Sequence, residues 1–514
     1  MIAAPIRILR GFATVGGWTM ASRILGFVRD TMIVALLGAG PVAQAFFVAF
    51  RLPNMFRRFF AEGAFNMAFI PLFSKRLEAE GAEAAKAFAE DALAALTTAL
   101  IVFTLLAQAV MPWFVWALAS GFEPGDERIE LAIAFSRICF PYIIFISLAA
   151  LFSGMLNAFG RFATAAAAPV LLNVILISAM AGADFAAFDI GWALASAVFA
   201  GGLAQLILVA RAASKLGMKL RIKRPRLTPD IRRLVALGVP AALSGGVMQI
   251  NLLVGTQIAS WTDGAIVWLW MADRVYQLPL GLVGVAIGIV LLPDLSRRVQ
   301  AGDINGAAGS MNRAAEFALA LTLPATAALL VIPELITSAL FERGAYDAED
   351  ISKTAMALWI YALGLPAFVL QRVLQPAFMA REDMKTPLRY AVISMLVNVV
   401  LALALLPVLG WLGTAVGTTV AGWTMVGLLW QGGKRLSSTI RVDDRLAVRG
   451  GRMLAASVIM GAAVFGLAHL LDTLPAWFAL ALIVPAGGVC YTLLASLLGA
   501  FQPGELTAAF RKGG

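Results

Sequence analysis

Ser22-Arg23-Ile24-Leu25-Gly26-Phe27-Val28-Arg29-Asp30 places three charges in the middle of a segment that is otherwise apolar from about Gly11 to Leu37. That segment is long enough to cross a bilayer with some tilt. Each Arg or Asp at the centre of a membrane helix costs roughly 2.5 to 3.5 kcal/mol on the insertion scale, so the three together weigh against lipid exposure. They are expected to face a polar interior. On an ideal helix Arg23 and Arg29 lie some 120° apart, whereas Asp30 returns to roughly the direction of Arg23. Asp30 is thus expected to share the face of Arg23, with Arg29 pointing across.

Composition sets the class. The 514 residues are 61% hydrophobic and only 14% charged, too apolar for a soluble protein and too long for a single-span anchor. The apolar runs extend over some twenty residues or more, without the short alternating strands of a membrane β-barrel. The chain is therefore expected to be an all-α polytopic membrane protein. Cys139 and Cys490 fall inside separate apolar segments and are expected to be free thiols. His469 is the single histidine and is given a structural role, so no metal site or cofactor is expected. Arg7 and Arg10 precede an apolar run that is interrupted by charge and lacks a convincing cleavage site. It is taken as an uncleaved first span.

Fourteen apolar segments follow one another, at about 11–37, 42–73, 88–118, 131–157, 164–183, 190–213, 231–260, 265–295, 312–333, 352–380, 387–407, 411–431, 450–471 and 475–500. The net charge of +10 is mostly an orientation signal. One set of connections holds Lys75, Arg76, Arg161, the run from Lys215 to Arg226, Arg297, Arg298, Lys385, Lys434, Arg435, Arg445, Arg511 and Lys512. The other is neutral or acidic on balance, with Glu123, Asp126, Glu127, Asp184, Asp263, the 342–350 loop and Asp472. The two sets alternate if both termini are cytoplasmic.

The basic linker after the sixth segment prompts a search for an internal repeat. Pro141 precedes Asn173 by 32 residues, and Pro366 precedes Asn398 by 32, an offset of 225 between the pairs. Leu52-Pro53 and Leu278-Pro279 are offset by 226, and the Pro71 and Pro293 motifs by 222. Two six-helix lobes follow, related by a pseudo-two-fold axis along the membrane normal with a cleft between them. The expected divisions are 1–214 for the first lobe, 215–229 for the linker, 230–436 for the second lobe and 437–514 for two additional helices.

The second segment carries Arg51, Arg57, Arg58 and Glu62, and the eighth Asp273, Arg274 and Gln277. An internal ion pair that fixes helix packing is the plainer account of any one of these, and the favoured one for Glu62 and Asp273. As a group, six arginines (Arg23, Arg29, Arg51, Arg57, Arg58, Arg274) outnumber three carboxylates (Asp30, Glu62, Asp273). Uncompensated charge in a low-dielectric place calls for water or an anion. The planar guanidinium fork suits phosphate. No phosphate-cradling loop, Cys/His metal spacing or nucleophile beside a histidine points to catalysis, so transport or binding is favoured over an enzyme.

The run from Ser22-Arg23 to Arg29-Asp30, then Gly38-Ala39-Gly40, Ala45 through Asn54, Arg57-Arg58 and Phe60 through Phe65, closely resembles the MurJ/MviN family of lipid II flippases. Ala272-Asp273-Arg274 with Leu278-Pro279, and Gly284 through Pro293, resemble the same family's eighth helix. The resemblance implies membership of the multidrug/oligosaccharidyl-lipid/polysaccharide exporter superfamily and alternating access of two lobes. It implies movement of lipid II, the undecaprenyl-diphosphate-linked peptidoglycan precursor, from the cytoplasmic to the periplasmic leaflet of the bacterial inner membrane. By similarity Arg23, Arg29, Arg57 and Arg274 match the substrate-binding arginines, with Asp30, Arg51, Arg58, Glu62, Asp273 and Gln277 as the supporting polar cavity. The last two helices match the pair that forms a groove for the lipid tail. Implied partners are lipid II, membrane lipids and the cell-wall synthesis machinery, with no nucleic acid. Coupling stays open between the membrane potential and a monovalent cation, and Gln44 and Gln277 stand where an acid is expected in some members. The alternatives are a flippase for another diphosphate-linked glycan, a multidrug antiporter of the same superfamily, a lipid-modifying enzyme or a scaffold.

Overall fold

The computed structural model describes residues 4–57, 64–123, 125–435 and 440–500, and among these it is helical with turns and no strand. In chain order the helices are α1 (Ala4–Leu37), α2 (Pro41–Arg57), α3 (Ala64–Ala79), α4 (Ala82–Ala109), α5 (Met111–Leu118), α6 (Glu127–Cys139) and α7 (Tyr142–Ala158). Next come α8 (Phe162–Phe185), α9 (Ile190–Ser214), α10 (Pro229–Ala259), α11 (Ala265–Gln300), α12 (Ile304–Val331) and α13 (Pro333–Phe341). The chain continues through α14 (Ala348–Leu374), α15 (Pro376–Met379), α16 (Lys385–Leu409), α17 (Leu412–Arg435), α18 (Asp444–Leu470) and α19 (Ala476–Leu497).

Every one of the fourteen apolar segments falls on one helix or on two consecutive ones. Among the described residues ten are long and apolar enough to cross a membrane, with α6–α7 and α14–α15 each counting as one span. The other segments fall on α1, on α2 with α3, on α10 and on α11. Of these, α1, α2 and α11 carry the intramembrane charges.

Proline accounts for where single segments become two helices. Pro112 opens α5 and Pro376 opens α15, each positioned where a missing N–H costs nothing at a helix start. Helix lengths also recur along the chain. A 28-residue helix precedes an 8-residue one in α4–α5, and a 28-residue helix precedes a 9-residue one in α12–α13. Later, α8 and α9 have 24 and 25 residues against 25 and 24 for α16 and α17.

The chain forms two compact units, Met1–Val267 and Trp268–Gly514. In the first, α8 packs against α1 and α9, α7 against α9, and α2 against α6. Close approach needs small residues, as it does in membrane bundles generally. A Cβ added at Gly201 would lie 2.5 Å from Leu172 Cδ1, and one added at Gly202 2.5 Å from Tyr142 Cδ2. Beside them the buried Gln205 donates from Nε2 to the Ala168 carbonyl at 2.8 Å and accepts from the Tyr142 hydroxyl at 3.3 Å. Cys139 is a buried free thiol 3.8 Å from the Ala195 carbonyl, and Cys490 is free and half-buried.

The sequence repeat assigns α10 to the second half, yet its side-chain bonds fasten it within the first unit. Thr228 caps its start by accepting from the Ile231 N–H at 3.3 Å. There Arg76 of α3 donates to Asp230 at 2.6 Å. At its other end Ser260 Oγ accepts from the Gly121 N–H at 2.9 Å, and Trp261 Nε1 donates to Ser120 Oγ at 3.1 Å. Arg128 adds an ion pair to Asp263. Any side chain at Gly121 would collide with Trp261, whose backbone N would be 2.4 Å from the added Cβ.

In the second unit α17 packs against α14 and α16, and α12 against α14 and α18. The start of α18 is bound to α12 by charge. Glu316 is buried and accepts from Arg449 at 2.6 Å, from Arg445 at 3.2 and 3.3 Å, and from Arg313. Asp443 caps α18 by accepting from the Leu446 N–H at 2.7 Å and also pairs with Arg313. Burial opposes ionisation of Asp443, but these donors outweigh it and hold its carboxyl below the usual range.

Gly202→Val is expected to destabilise the detergent-solubilised protein by about 1–3 kcal/mol through overpacking against Tyr142. Gly182→Ala is the control, because nothing lies within 4 Å of that position. A thermal melt followed by far-ultraviolet circular dichroism distinguishes the two.

Candidate substrate site

The charges on α1 do not share the arrangement expected from ideal helix angles. Arg23 is exposed, whereas Arg29 and Asp30 are 6% and 1% exposed. The guanidinium of Arg29 folds back on its chain neighbour, donating from Nε and Nη2 to Asp30 Oδ1 at 2.8 and 2.7 Å. Reach explains the difference, since a long Arg side chain spans the 100° between successive helix positions. Its Nη1 donates to Asn173 Oδ1 of α8 at 2.9 Å, and Asn173 Nδ2 donates to the Ser22 carbonyl at 2.9 Å. The Phe50 ring of α2 lies 5.2 Å from the guanidinium carbon. Arg29 thus occupies the junction of α1, α2 and α8, with an ion-pair partner, an amide and an aromatic face around it.

On α2, Arg51 is half-buried and donates to the hydroxyl of Thr256 on α10. Arg57 is half-buried at the last residue of the helix. Its neighbour Phe56 fixes that end, with ring centroids 5.0, 5.8 and 5.7 Å from those of Phe103, Phe114 and Phe140. Pro53 lies inside α2, and the next residue, Asn54, donates from Nδ2 to the Phe50 carbonyl at 2.7 Å. The expected site residues Arg58 and Glu62 lie outside the described residues. The described side chains of α1 and α2 therefore include four arginines and one carboxylate. Gln44 is buried and donates to the Ala39 carbonyl at 3.1 Å, a neutral residue in a helix-start role.

In the second unit, Asp273 and Arg274 are half-buried and Gln277 is exposed on α11. Gln277 donates to Asp273 one turn earlier. The Arg274 guanidinium carbon lies 5.1 Å from the Trp270 ring centroid, a cation–π contact. A cavity of about 560 Å³ in this unit is elsewhere, among Val331, Trp359, Phe465, Glu334, His469 and Asp472. Its two carboxylates have the wrong sign for a diphosphate.

Two features escaped the sequence. Asn173, noticed there only as a repeat marker, is the residue that ties Arg29 to α8. Its signal was a lone amide in the middle of an apolar span. Glu316 drew no attention as an intramembrane charge, although its partners Arg445 and Arg449 recur one turn apart. Among the described residues, no group of His, Cys, Asp and Glu is arranged to hold a metal ion.

A bundle of membrane-length helices in two units, bearing more cations than acids inside its first two helices, has the class of a polytopic membrane carrier. In overall fold the chain is similar to an inward-facing MATE multidrug transporter of the MOP superfamily, with a TM-score of 0.70 over 81% of this chain and 95% of that one at 15% identity. It is also similar to a solved lipid II flippase MurJ in an inward closed conformation, with a TM-score of 0.79 over 94% and 98% of the two chains at 24% identity. The family model described as lipid II flippase MurJ matches residues 33–485. A probable lipid II flippase MurJ of Rhizobium meliloti (strain 1021) is 47% identical over 469 residues, 89% of this chain and 86% of that one. The lipid II flippase MurJ of Burkholderia cenocepacia is 36% identical over 416 residues, 79% and 80% of the two chains. The chain belongs to the lipid II flippase MurJ family.

Asp30→Ala leaves the buried Arg29 without its counter-ion and is expected to cost about 3–5 kcal/mol. The paired change Arg29→Met with Asp30→Leu removes both charges and is expected to be markedly less destabilising. Thermal melting of the two purified variants checks the order; equal losses would remove the ion pair as the cause.

Proposed function

We propose that this protein is the carrier that moves lipid II from the cytoplasmic to the periplasmic leaflet of the bacterial inner membrane, by alternating access and in the service of cell-wall synthesis. The supporting observation is the cation excess on α1 and α2, in a chain of this family. A diphosphate is a compact dianion, and guanidinium groups offer it paired N–H donors in matching geometry. Arg23, Arg57 and Arg274 are the proposed headgroup ligands. Arg29 joins them by exchanging its bonds to Asp30 and Asn173 for phosphate oxygens, and otherwise positions α1 against α8.

With both termini cytoplasmic, as the alternation of loop charge favours, outward movement of an anionic head is assisted by a cytoplasm-negative potential. The assistance is about 2.3 kcal/mol per charge per 100 mV, or roughly 4.6 kcal/mol for two charges. The lipid tail is proposed to stay in the membrane along α18 and α19. Leu454, Val458, Phe465, Val484, Val489 and Leu493 of that pair are all more than half exposed, as lipid-facing side chains are.

The experiment is depletion of the protein in its host, followed by labelling of lipid II that is accessible from the periplasmic side. Accessible lipid II is expected to fall while the cytoplasmic pool rises. Arg23→Ala and Arg274→Ala are each expected to reduce complementation at least about tenfold, the equivalent of losing one charge-assisted contact of 1.4 kcal/mol or more, with normal protein abundance. Full transport by either variant would exclude that residue from the headgroup site. A scaffold role predicts unchanged complementation by both.

A further inference from the structure

The linker between α9 and α10 has features that orientation of the chain does not require. Residues 218–228 form no helix, and the segment is pinned to the first unit at two points. Met218 is buried at 3% exposure. Glu90 of α4, also buried, accepts from the Arg221 backbone N–H at 3.0 Å and pairs with the Lys223 ammonium at 2.6 Å.

The position of Glu90 sets the height of the linker. Glu90 and Asp91 are the last charged residues of α4 before an uncharged run from Ala92 to Ala109. The carboxylate that holds the linker therefore stands at the edge of the apolar span, where lipid headgroups lie. Between and beyond the pins, Lys219, Arg221, Arg224 and Arg226 are exposed, as are Lys215 before them and Arg232 and Arg233 after them. Two large apolar side chains alternate with these cations, and they too are bare: Ile222 is 80% exposed and Leu227 71%.

A loop serving only to mark the cytoplasmic side has no need of exposed Ile and Leu, nor of a buried acid that draws its backbone down to the membrane edge. Cations interleaved with apolar side chains at headgroup level match an anionic bilayer surface, where each basic residue adds attraction and each apolar one enters the acyl boundary. We propose that the 218–228 segment is a surface anchor for anionic phospholipid headgroups of the adjacent leaflet. Lys219, Arg224 and Arg226 bind phosphate, Ile222 and Leu227 insert, and Glu90 sets the depth. This contact is separate from the headgroup site on α1 and α2 and stands whether or not that reading holds.

The test uses the full chain with Cys139→Ala and Cys490→Ala, labelled at Pro225→Cys with an environment-sensitive fluorophore. It is placed in bilayer discs of phosphatidylcholine alone or of phosphatidylcholine with phosphatidylglycerol, and quenched with neutral acrylamide. Quenching is expected to be roughly threefold weaker in the anionic discs. Salt at about 0.5 M should erase the difference by screening, as should the combined change Lys219→Gln, Arg224→Gln and Arg226→Gln, which leaves both pins intact. Ile222→Ser with Leu227→Ser should weaken the protection at low salt. Equal quenching in the two lipids would overturn the proposal. So would protection that survives both high salt and the triple substitution, since the segment would then be covered by protein.

Discussion

A guanidinium group held within a membrane bundle needs an answer to its charge, and the bonds around Arg29 show how this fold supplies one. Asp30 neutralises it from the adjacent position, Asn173 takes its remaining nitrogen, and Phe50 offers the negative face of a ring. Each of these comes from a different direction, so satisfying one side chain fixes α1 against both α2 and α8. Removing either charge alone would leave the other uncompensated at low dielectric, which is costlier than losing both. The same requirement separates Arg29 from Arg23. The latter is exposed on α1 and is not enclosed in this way.

Small residues and buried amides do the corresponding work among the uncharged helices. Gly201 and Gly202 let α9 come close to α8 and α7, while Gln205 satisfies two polar groups in the same region. In a bundle surrounded by lipid there is little hydrophobic gain from bringing helices together, so close packing and internal hydrogen bonds have to supply the association. Fastening α10 relies more on polar contacts, from Asp230 at its start to Thr256 and Ser260 near its end.

Much of the architecture was legible because lipid leaves few choices. A run of twenty apolar residues must be helical if it spans, and loop charge then checks the register of spans. The break positions were less legible: Pro112 and Pro376 split long segments into two helices, and a window of hydropathy averages over such breaks. Among the candidate site residues, the rarity of charge in apolar segments singled out Arg23, Arg29, Arg51, Arg57, Arg58 and Arg274, and the family resemblance narrowed these to Arg23, Arg29, Arg57 and Arg274. The sequence could not reveal how much of that charge is answered inside the bundle. Ideal angles put Asp30 with Arg23, but flexible side chains pair by reach, and Asp30 belongs to Arg29. Asn173 shows the same limit, since a neutral amide announces itself only weakly and its partner is 144 positions away.

The charged junction at Glu316 bears on how separable the final helices are. Its carboxylate belongs to α12, while two of its three guanidinium partners, Arg445 and Arg449, arrive with α18. A chain ending before residue 440 would keep Glu316 but lose those two counter-charges, as well as the Asp443 partner of Arg313. Shortening the protein by α18 and α19 would thus injure α12 of the remaining body, and the last two helices, though late in sequence, cannot be treated as a detachable accessory.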